Sequence, residues 1–420
     1  MMRYTVLFIF CLAALLAGVS PAARSQNGKV IELEKADSLK GLVIGGEEAR
    51  ELIGNVRIRQ EGVVITCDRG LQFLASGRIV LTGDVTVTDD SVTLRAPRAL
   101  YHRDMRMAEA FEDVRLEDGR TTLTARYGQY FVEERKAYFQ GRVVVVDSTS
   151  RVEADTLTYY REKGSATASG RVRVTGKAER VTITGGYLRH TSRPPYSRIT
   201  LAPLLVQIDT TGGREDTLTV TSTIMEAYRD STRLLVATDS VSLLQGELAG
   251  RAQTLHFFTA SDSLLMRGTP VLWYGQTQVS GDSINVYMRN RKPWRVVVLG
   301  NALAASRSDS LFPDRFDQLS GDTMVMRFAS EGLEEIDVRS QATSIYYLYE
   351  DSVGNGLNQS SCDRIALTFR EKKVQTITFV GGVEGMYRPE SMISRREADF
   401  ALPGFRWRHD RPVRPRIGNQ

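Results

Sequence analysis

The sequence is poor in the residues from which metal centres and disulfide frameworks are built. Its 420 residues include three cysteines and four histidines, and no histidine has a second histidine or a cysteine at metal-ligand spacing. This composition argues against a zinc site and against a disulfide-stapled fold. We therefore expect no bound metal and no cofactor.

Charge of one sign is also scarce. Lys and Arg number 55 while Asp and Glu number 50, so the formal net charge is only +5. A dedicated nucleic-acid-binding protein would concentrate positive charge on one face. We therefore expect no nucleic-acid partner.

Long apolar runs are missing except at the N-terminus. There, Arg3 precedes a 14-residue apolar run over residues 6–19, and Ala23-Arg24-Ser25 then offers a small-x-small cleavage site before Gln26. These are the parts of a cleavable secretory signal, and the run is shorter than the roughly 20 residues that span a bilayer. We expect residues 1–25 to be a signal peptide and the mature chain to be exported.

The chain contains an internal repeat. Five valines recur at intervals of 29 residues, and most follow a Gly-x-Val motif. A second apolar residue stands two positions after each valine, which is the period-2 alternation of a strand with one buried face. The valines are Val56, Val85, Val114, Val143 and Val172.

Each repeat holds two strands of about ten residues and two turns. The first strand carries its glycine near the middle, where a bend or bulge is expected. The second strand ends in aromatic residues, namely Phe73, Tyr101, Tyr130 and Tyr159. No helical periodicity is present, so the expected fold is all-β.

The second half repeats less regularly. Val241 and Val271 are 30 residues apart, and extra residues at 306–316 and 351–359 are interpreted as loop insertions. We expect a first β module over residues 26–200, a linker over 201–216 and a second, more irregular module over 217–402. Residues 403–420 are rich in arginine and are expected to form a disordered tail.

Catalytic patterns are absent from the sequence. An aspartate recurs at one repeat position, as Asp68, Asp155, Asp282, Asp322 and Asp363. A carboxylate row could bind calcium or act in acid–base catalysis, but the even spacing favours solvated strand or turn residues. With no nucleophile–histidine–acid order and no phosphate-binding glycine loop, we expect that the protein is not an enzyme.

The inward face is the candidate binding surface. Long strands with one apolar face must bury that face against another sheet or a partner. Two alternatives remain open from the residues alone, namely an apolar groove that holds acyl chains and a packed interior without a ligand. The candidate lipid-binding residues are Val56, Ile58, Ile65, Leu81, Val85, Val87, Leu94, Val114, Leu116, Leu123, Phe139, Val143, Val145, Val172 and Val174.

The export signal, the Gly-x-Val strands and the segment Ala154-Asp155-Thr156-Leu157-Thr158-Tyr159 together resemble the OstA/LptA-like family of periplasmic lipopolysaccharide-transport proteins. The resemblance implies an antiparallel β-jelly roll, folded like a taco, whose interior receives the acyl chains of lipid A. It further implies a periplasmic location, with association with the outer membrane. The implied partners are lipopolysaccharide, the other jelly-roll components of the export bridge, the outer-membrane assembly protein and further copies of the chain joined head to tail.

Two rival interpretations use the same repeat. An exported β-solenoid, either structural or adhesin-like and without lipid cargo, would stack its rungs in parallel. A polysaccharide-acting enzyme on a β-helix would cluster acids and bases at one level of the stack. The strand direction and the placement of the aspartates distinguish these readings from the transport reading.

Overall fold

The structure is a computed structural model that describes residues 32–413, except for residues 61, 90–91, 118, 120, 178–179, 210–215, 229–232, 291, 330–331, 352 and 372. The expected signal peptide at residues 1–25 lies outside the described residues. Among those that are described, no helix has the length and apolar character needed to cross a membrane.

The described residues divide into two compact units, which meet in sequence between Pro203 and Leu204. Unit 1 contains strands β1 Glu32–Lys35, β2 Ser38–Ile44, β3 Glu47–Gln60, β4 Val63–Phe73, β5 Arg78–Asp89, β6 Val92–His102, β7 Met107–Glu117, β8 Thr122–Phe131, β9 Lys136–Val146, β10 Ser150–Tyr160, β11 Ser165–Gly176, β12 Val181–Ser192 and β13 Pro195–Thr200.

Unit 2 contains further strands and two short helical turns. The strands are β14 Leu204–Asp209, β15 Asp216–Thr221, β16 Ile224–Tyr228, β17 Leu234–Gln245, β18 Leu248–Phe258, β19 Ser263–Arg267, β20 Val271–Tyr274, β21 Thr277–Ser280, β22 Ser283–Arg289, β23 Lys292–Arg307, β24 Phe316–Ala329, β25 Gly332–Glu350, β26 Val353–Arg370, β27 Lys373–Val380 and β28 Glu384–Pro389. The helical turns are α1 Glu390–Ile393 and a 3₁₀ turn at Glu397–Phe400.

Strand pairing is antiparallel in both units. In unit 1 each strand from β3 to β12 pairs with the next along the chain, for example β5 with β6 and β6 with β7. Two strands and two turns therefore fill each 29-residue repeat, and the predicted all-β antiparallel jelly-roll class is confirmed. A β-solenoid with parallel rungs does not fit this pairing.

A pair of residues in the left-handed backbone conformation interrupts each repeat. In Gly83-Asp84 the φ angles are 76° and 42°, and the pairing with β6 shifts register between Thr82 and Val85. Apart from the turn pair Gly45-Gly46, such pairs occur at eleven places in the described chain, namely Gly54-Asn55, Gly83-Asp84, Glu112-Asp113, Gly141-Arg142, Gly170-Arg171, Leu201-Ala202, Asp239-Ser240, Gly268-Thr269, Gly300-Asn301, Ser340-Gln341 and Gly381-Gly382. Such bulges bend a strand and increase its twist, so the strands bend at matching positions.

The recurrent aspartate lies against this bend. The Asp282 N–H donates to the Gly300 carbonyl at 2.9 Å, and the Asp282 carboxylate accepts a 3.1 Å hydrogen bond from Asn301. The same contact of an aspartate with a glycine of the next strand recurs at Asp37/Gly54, Asp68/Gly83, Asp155/Gly170 and Asp363/Gly381. Aspartates therefore recur at the bend in several repeats, whereas Arg126 takes this place at Gly141, and they stabilise the turn of the backbone.

The expected linker at residues 201–216 differs from the structure over residues 204–209, while residues 210–215 lie outside the described residues. Leu204–Asp209 forms β14 and pairs in register with β15, from Leu204 opposite Thr221 to Asp209 opposite Asp216. The alternating apolar residues of this segment favour a strand over a linker. The predicted loop insertion at 351–359 is likewise wrong over 353–359, because that polar segment is the first part of β26 and pairs with both β25 and β28.

The prediction of a disordered tail is wrong for residues 403–413; residues 414–420 lie outside the described residues. Residues 390–413, here called the C-terminal strap, cover the face of unit 2 that carries Leu303 and Ala305. Trp407 packs against this face, and the side-chain amide of Gln278 donates to the Arg406 carbonyl and accepts from the Arg408 N–H. Apolar side chains among the arginines anchor the segment.

A buried arginine fixes the strap. The Arg315 side chain is 2% exposed and donates to Glu390 at 2.6 Å and to Glu397 at 3.2 Å. Its guanidinium also lies 4.4 Å from the ring centre of Phe312. Burial opposes ionisation of Arg315, but the two glutamates outweigh it and raise its pKa.

The bend predicts that Gly→Ala substitutions lower the stability of the fold by different amounts at different glycines. Gly83→Ala should cost about 3 kcal/mol, because left-handed backbone is strained for alanine and the added Cβ would overlap the Asp68 carboxylate. Gly45→Ala shares the left-handed backbone but has open space around it, so about 1 kcal/mol is expected. Urea unfolding measures both values, and equal losses would contradict the close packing of aspartate on glycine.

The strap predicts a local unfolding phenotype. Arg315→Met should destabilise the strap by about 2 to 3 kcal/mol, because two glutamates lose their partner. Arg396→Met is the control, since its ion pair with Asp399 is exposed and should contribute little. Chymotrypsin cleavage within 400–407 should accelerate only in Arg315→Met. Equal cleavage rates in the two variants would contradict this anchoring role.

The apolar groove of unit 1, a candidate functional site

Bending at the left-handed pairs brings the two halves of each strand in unit 1 face to face. Leu52 and Leu81, which precede a bend, share one buried cluster with Val56 and Val85, which follow it. Ile65, Val87 and Tyr101 pack against the same cluster from positions nearer the strand ends. One apolar face of the folded sheet therefore lines a groove with two arms.

The bottom of the groove is closed by the 29-residue valine series. Val56, Val85, Val114, Val143 and Val172 are all between 0 and 1% exposed. Each valine pairs with a small residue on the following strand, such as Cys67, Ala96 or Ala125. Alternating large and small side chains allows close packing at the bend.

One arm of the groove is here called the aliphatic arm. It is formed by the residues that follow the bend in the odd-numbered strands and by the residues that precede the bend in the even-numbered strands. A cross-strand row runs along it as Ile58, Ile65, Val87, Leu94, Leu116, Leu123, Val145, Val152, Val174 and Ile183. From β4 to β7 the members of this row are only partly buried, whereas from β8 to β12 they are buried. The groove is therefore accessible along β4–β7 and packed further on.

The opposite arm, here called the tyrosine arm, alternates aromatic and small side chains. Its row reads Ile79, Tyr101, Ala108, Tyr130, Ala137, Tyr159, Ala166 and His190. The members from Tyr101 to Tyr159 are partly exposed. The sequence shows these tyrosines as the ends of strands, but only the register shift at the bend shows that they share the inward face with the valines.

All fifteen candidate lipid-binding residues lie on this inward face. Those nearest the bend and those on β8–β11 are buried, namely Val56, Ile58, Leu81, Val85, Val114, Leu123, Phe139, Val143, Val145, Val172 and Val174. Ile65, Val87, Leu94 and Leu116 are partly exposed. These four have the surface available to a ligand, and their assignment as lipid-binding residues stays a prediction.

The outward face of unit 1 is polar. Cross-strand ion pairs cover it, for example Arg95 with Glu117 at 2.8 Å. A partly buried network joins Glu109 to His102 at 2.8 Å and to the Tyr127 hydroxyl. Burial disfavours the charge on Glu109, but hydrogen bonds from Tyr127 and His102 outweigh it and lower its pKa, while burial raises the pKa of Tyr127. The network joins three neighbouring strands, β6, β7 and β8, on this side.

The two cysteines of the described chain are free and buried. Burial raises the pKa of the Cys67 thiol to about 11, so this thiol is unreactive at neutral pH. Cys362 occupies the matching repeat position in unit 2 and also bonds a backbone carbonyl two residues on. Both residues act as small core side chains. Within the described chain, no three His, Cys, Asp or Glu side chains come close enough to hold a metal ion.

The groove of unit 2 is bridged at its mouth. Tyr274 on β20 meets Phe328 on β24 edge to face, with 4.9 Å between ring centres. Val296, Val298 and Met324 beneath them are fully buried. Around this aromatic pair the inward face of unit 2 is therefore packed.

Family profiles match the repeat region. A profile described as OstA-like protein matches residues 28–185. A second profile, described as the LptA/(LptD N-terminal domain) LPS transport protein, matches residues 124–292. The chain belongs to the OstA/LptA-like family. The two matches overlap and together run through unit 1 into the first strands of unit 2, so the resemblance found in the motifs is confirmed.

The OstA/LptA-like chain was also compared with solved structures and with curated proteins. It is similar to LptH of Pseudomonas aeruginosa, described as the LptA homologous periplasmic component of the conserved lipopolysaccharide transport device. The identity is 14% and the TM-score is 0.26, over 28% of this chain and 82% of LptH. The search of curated proteins gives no match.

Proposed function

We propose that this OstA/LptA-like protein carries lipopolysaccharide through the periplasm and shields the acyl chains in the groove of unit 1. The observation that carries the proposal is the graded exposure of the inward face. The valines at the bend are closed, while Ile65, Val87, Leu94 and Leu116 keep apolar surface in contact with water.

The driving force is burial of apolar surface. Each acyl CH₂ removed from water contributes about 0.8 kcal/mol, so a lipid with several chains gains much from even a shallow apolar groove. The branched side chains of β4–β7 offer no hydrogen-bonding groups that would have to be desolvated. The groove therefore fits acyl chains better than a polar ligand.

The sheet edges support a bridge made of several modules. At one edge, β1 and β2 pair only with β3 within the described chain, and Leu39 opposite Leu52 is more than half exposed. At the other edge, β27 and β28 pair only with β26 among the described strands, and Ile377 opposite Leu367 is 37% exposed. At both edges, the row of inward apolar side chains ends at a residue that has no further strand beside it in the described chain.

An unfinished strand edge invites addition of a further strand. We assign these edges to head-to-tail contacts with other jelly-roll components, with the outer-membrane assembly protein or with further copies of the chain. Such heterologous contacts can extend in a line, which would join successive grooves. Export by the signal at residues 1–25 and a periplasmic location belong to the same proposal.

An exported structural protein without cargo is the second candidate. The packed aliphatic arm from β8 to β12 favours it, because Val145 and Val174 already fill the interior there. The two candidates differ in what contacts the partly exposed residues of β4–β7.

Photo-crosslinking from β5 distinguishes them. A photoreactive phenylalanine analogue at Val87 should form lipopolysaccharide adducts in cells, because this position faces the accessible part of the groove. The same analogue at Thr86 should give none, since Thr86 is also partly buried but faces outward. Adducts are detected as lipopolysaccharide-positive bands of raised mass.

Adducts from Thr86 as strong as those from Val87 would show nonspecific lipid contact and contradict the groove. Failure at Val87, Leu94 and Leu116 alike, in a protein that is exported and folded, would favour the structural candidate.

The edge contact predicts a face-specific effect in β27. Ile377→Lys should weaken association of the protein with itself or its bridge partners, because strand addition would bury Ile377 between neighbouring strands. Thr376→Lys adds the same charge on the opposite face of the same strand and should have a much smaller effect. Sedimentation velocity over a concentration series measures association, and equal effects of the two changes would argue against continuation of the apolar row.

A further inference from the structure

The turns at one rim of the unit 1 groove carry an excess of positive charge. The turns beyond the tyrosine arm, here called the basic rim, are residues 75–78, 103–106, 132–136 and 161–164, with seven basic and four acidic residues. The described residues of the turns beyond the aliphatic arm are 60, 62, 89, 117, 119, 121, 147–149, 177 and 180, and they include three acidic and two basic residues, so no such excess of positive charge is present there. An anion at the mouth of the groove is therefore attracted to the basic rim.

Backbone hydrogen bonds hold the basic rim in register. Three of its four turns donate an N–H to a carbonyl of the turn one repeat earlier, for example from Val132 to Arg106 at 3.0 Å and from Arg161 to Arg135 at 2.9 Å. The arginines of the rim therefore recur at the spacing of paired turns. A regular row of guanidinium groups suits phosphate, which accepts paired hydrogen bonds from arginine.

The ion pairs now made by these arginines are weak. Arg106 lies 3.3 Å from Glu133 and Arg135 lies 3.4 Å from Glu162, with all four side chains well exposed. Exposed pairs of this kind contribute little free energy. The guanidinium groups can exchange a carboxylate for a ligand phosphate at small cost.

The tyrosine row lies between this rim and the apolar bend. Tyrosine presents an apolar ring and a polar hydroxyl, so it suits a boundary between acyl chains and a polar headgroup. On β6 the order from bend to rim is Ala99, Tyr101 and Arg103, and on β10 it is Leu157, Tyr159 and Arg161. The aliphatic arm has no such gradient, because its row is Ile, Val and Leu throughout.

From this juxtaposition we propose that the groove takes an anionic, phosphate-bearing amphiphile in one orientation. Its acyl chains lie between the two arms, and its phosphate groups lie at the basic rim next to Tyr101, Tyr130 and Tyr159. This inference rests on the proposed function and adds to it the headgroup chemistry and the direction in which the lipid lies.

The test compares two amphiphiles with the same acyl chains, one carrying phosphate and one with a hydroxyl in its place. The variant is the full chain with Arg103→Gln, Arg106→Gln and Arg135→Gln. The matched control carries Arg95→Gln, Arg115→Gln and Arg173→Gln, which remove the same charge from exposed ion pairs on the outward face of unit 1. Equilibrium binding is measured by calorimetry for each protein and each amphiphile.

The rim variant should bind the phosphorylated amphiphile about tenfold more weakly, which corresponds to a modest contribution from each arginine. Its affinity for the hydroxyl amphiphile should not change, and the control should bind both as the wild type does. Inorganic phosphate alone should not displace the phosphorylated amphiphile, since the acyl chains supply most of the affinity.

Several results would overturn the orientation. They are an equal loss for both amphiphiles, an equal loss in the outward-face control, wild-type affinity in the rim variant, or displacement by inorganic phosphate. If the wild type binds both amphiphiles and the rim arginines contribute nothing to the affinity, the proposed orientation is wrong, whereas acyl-chain binding in the groove is supported. If the wild type binds neither, the proposed function itself fails.

Discussion

The structure depends on a backbone constraint that recurs once in every repeat, the pair of left-handed residues that bends each strand. L-residues avoid this conformation, and glycine adopts it at the lowest cost. Glycine fills the first position of the pair at Gly54, Gly83, Gly141 and Gly170, and an aspartate or another polar residue lies against it from the neighbouring strand. Because the bends coincide from strand to strand, one alternating apolar pattern produces two facing arms.

The groove follows from where along the strand a residue lies. Near the bend the arms are close, so a valine opposite a small residue fills the space completely. Further out the same type of side chain no longer meets the opposite arm, and Val87 is partly exposed although Val85, two residues earlier on the same face, is not. Distance from the bend therefore separates residues that hold the fold together from residues that can contact a ligand.

Much of this could be predicted from the sequence. The 29-residue valine series and the period-2 alternation specify the strands and their inward face, because a single slip in register would expose every apolar residue. The pattern could not show which inward residues stay accessible. Val87 and Val145 hold the same position in their repeats, yet Val145 is buried and Val87 is partly exposed. The excess of positive charge at the basic rim is readable in the sequence once the pairing of the turns is known.

The order of the C-terminal strap could not be predicted from the sequence, for a different reason. Its arginines suggest a solvated tail, and no repeat signal marks it. Order comes from Phe405 and Trp407, which meet a sheet face exposed by the irregular strands of unit 2, and from Arg315, which lies 75 residues before its partner Glu390. Contacts between segments so far apart leave no local pattern. The same holds for Tyr274 and Phe328, which bridge the groove of unit 2 from two different strands.

The central claim is that the groove of unit 1 is closed at the bend and open above it. Thiol labelling of Val85→Cys and Val87→Cys tests it directly, because the native Cys67 and Cys362 are buried and should remain unlabelled in the folded protein. The account predicts that the thiol at position 87 reacts and that an added acyl amphiphile protects it, while the thiol at position 85 does not react. Equal reactivity at the two positions, or reaction at position 87 that the amphiphile leaves unchanged, would contradict it.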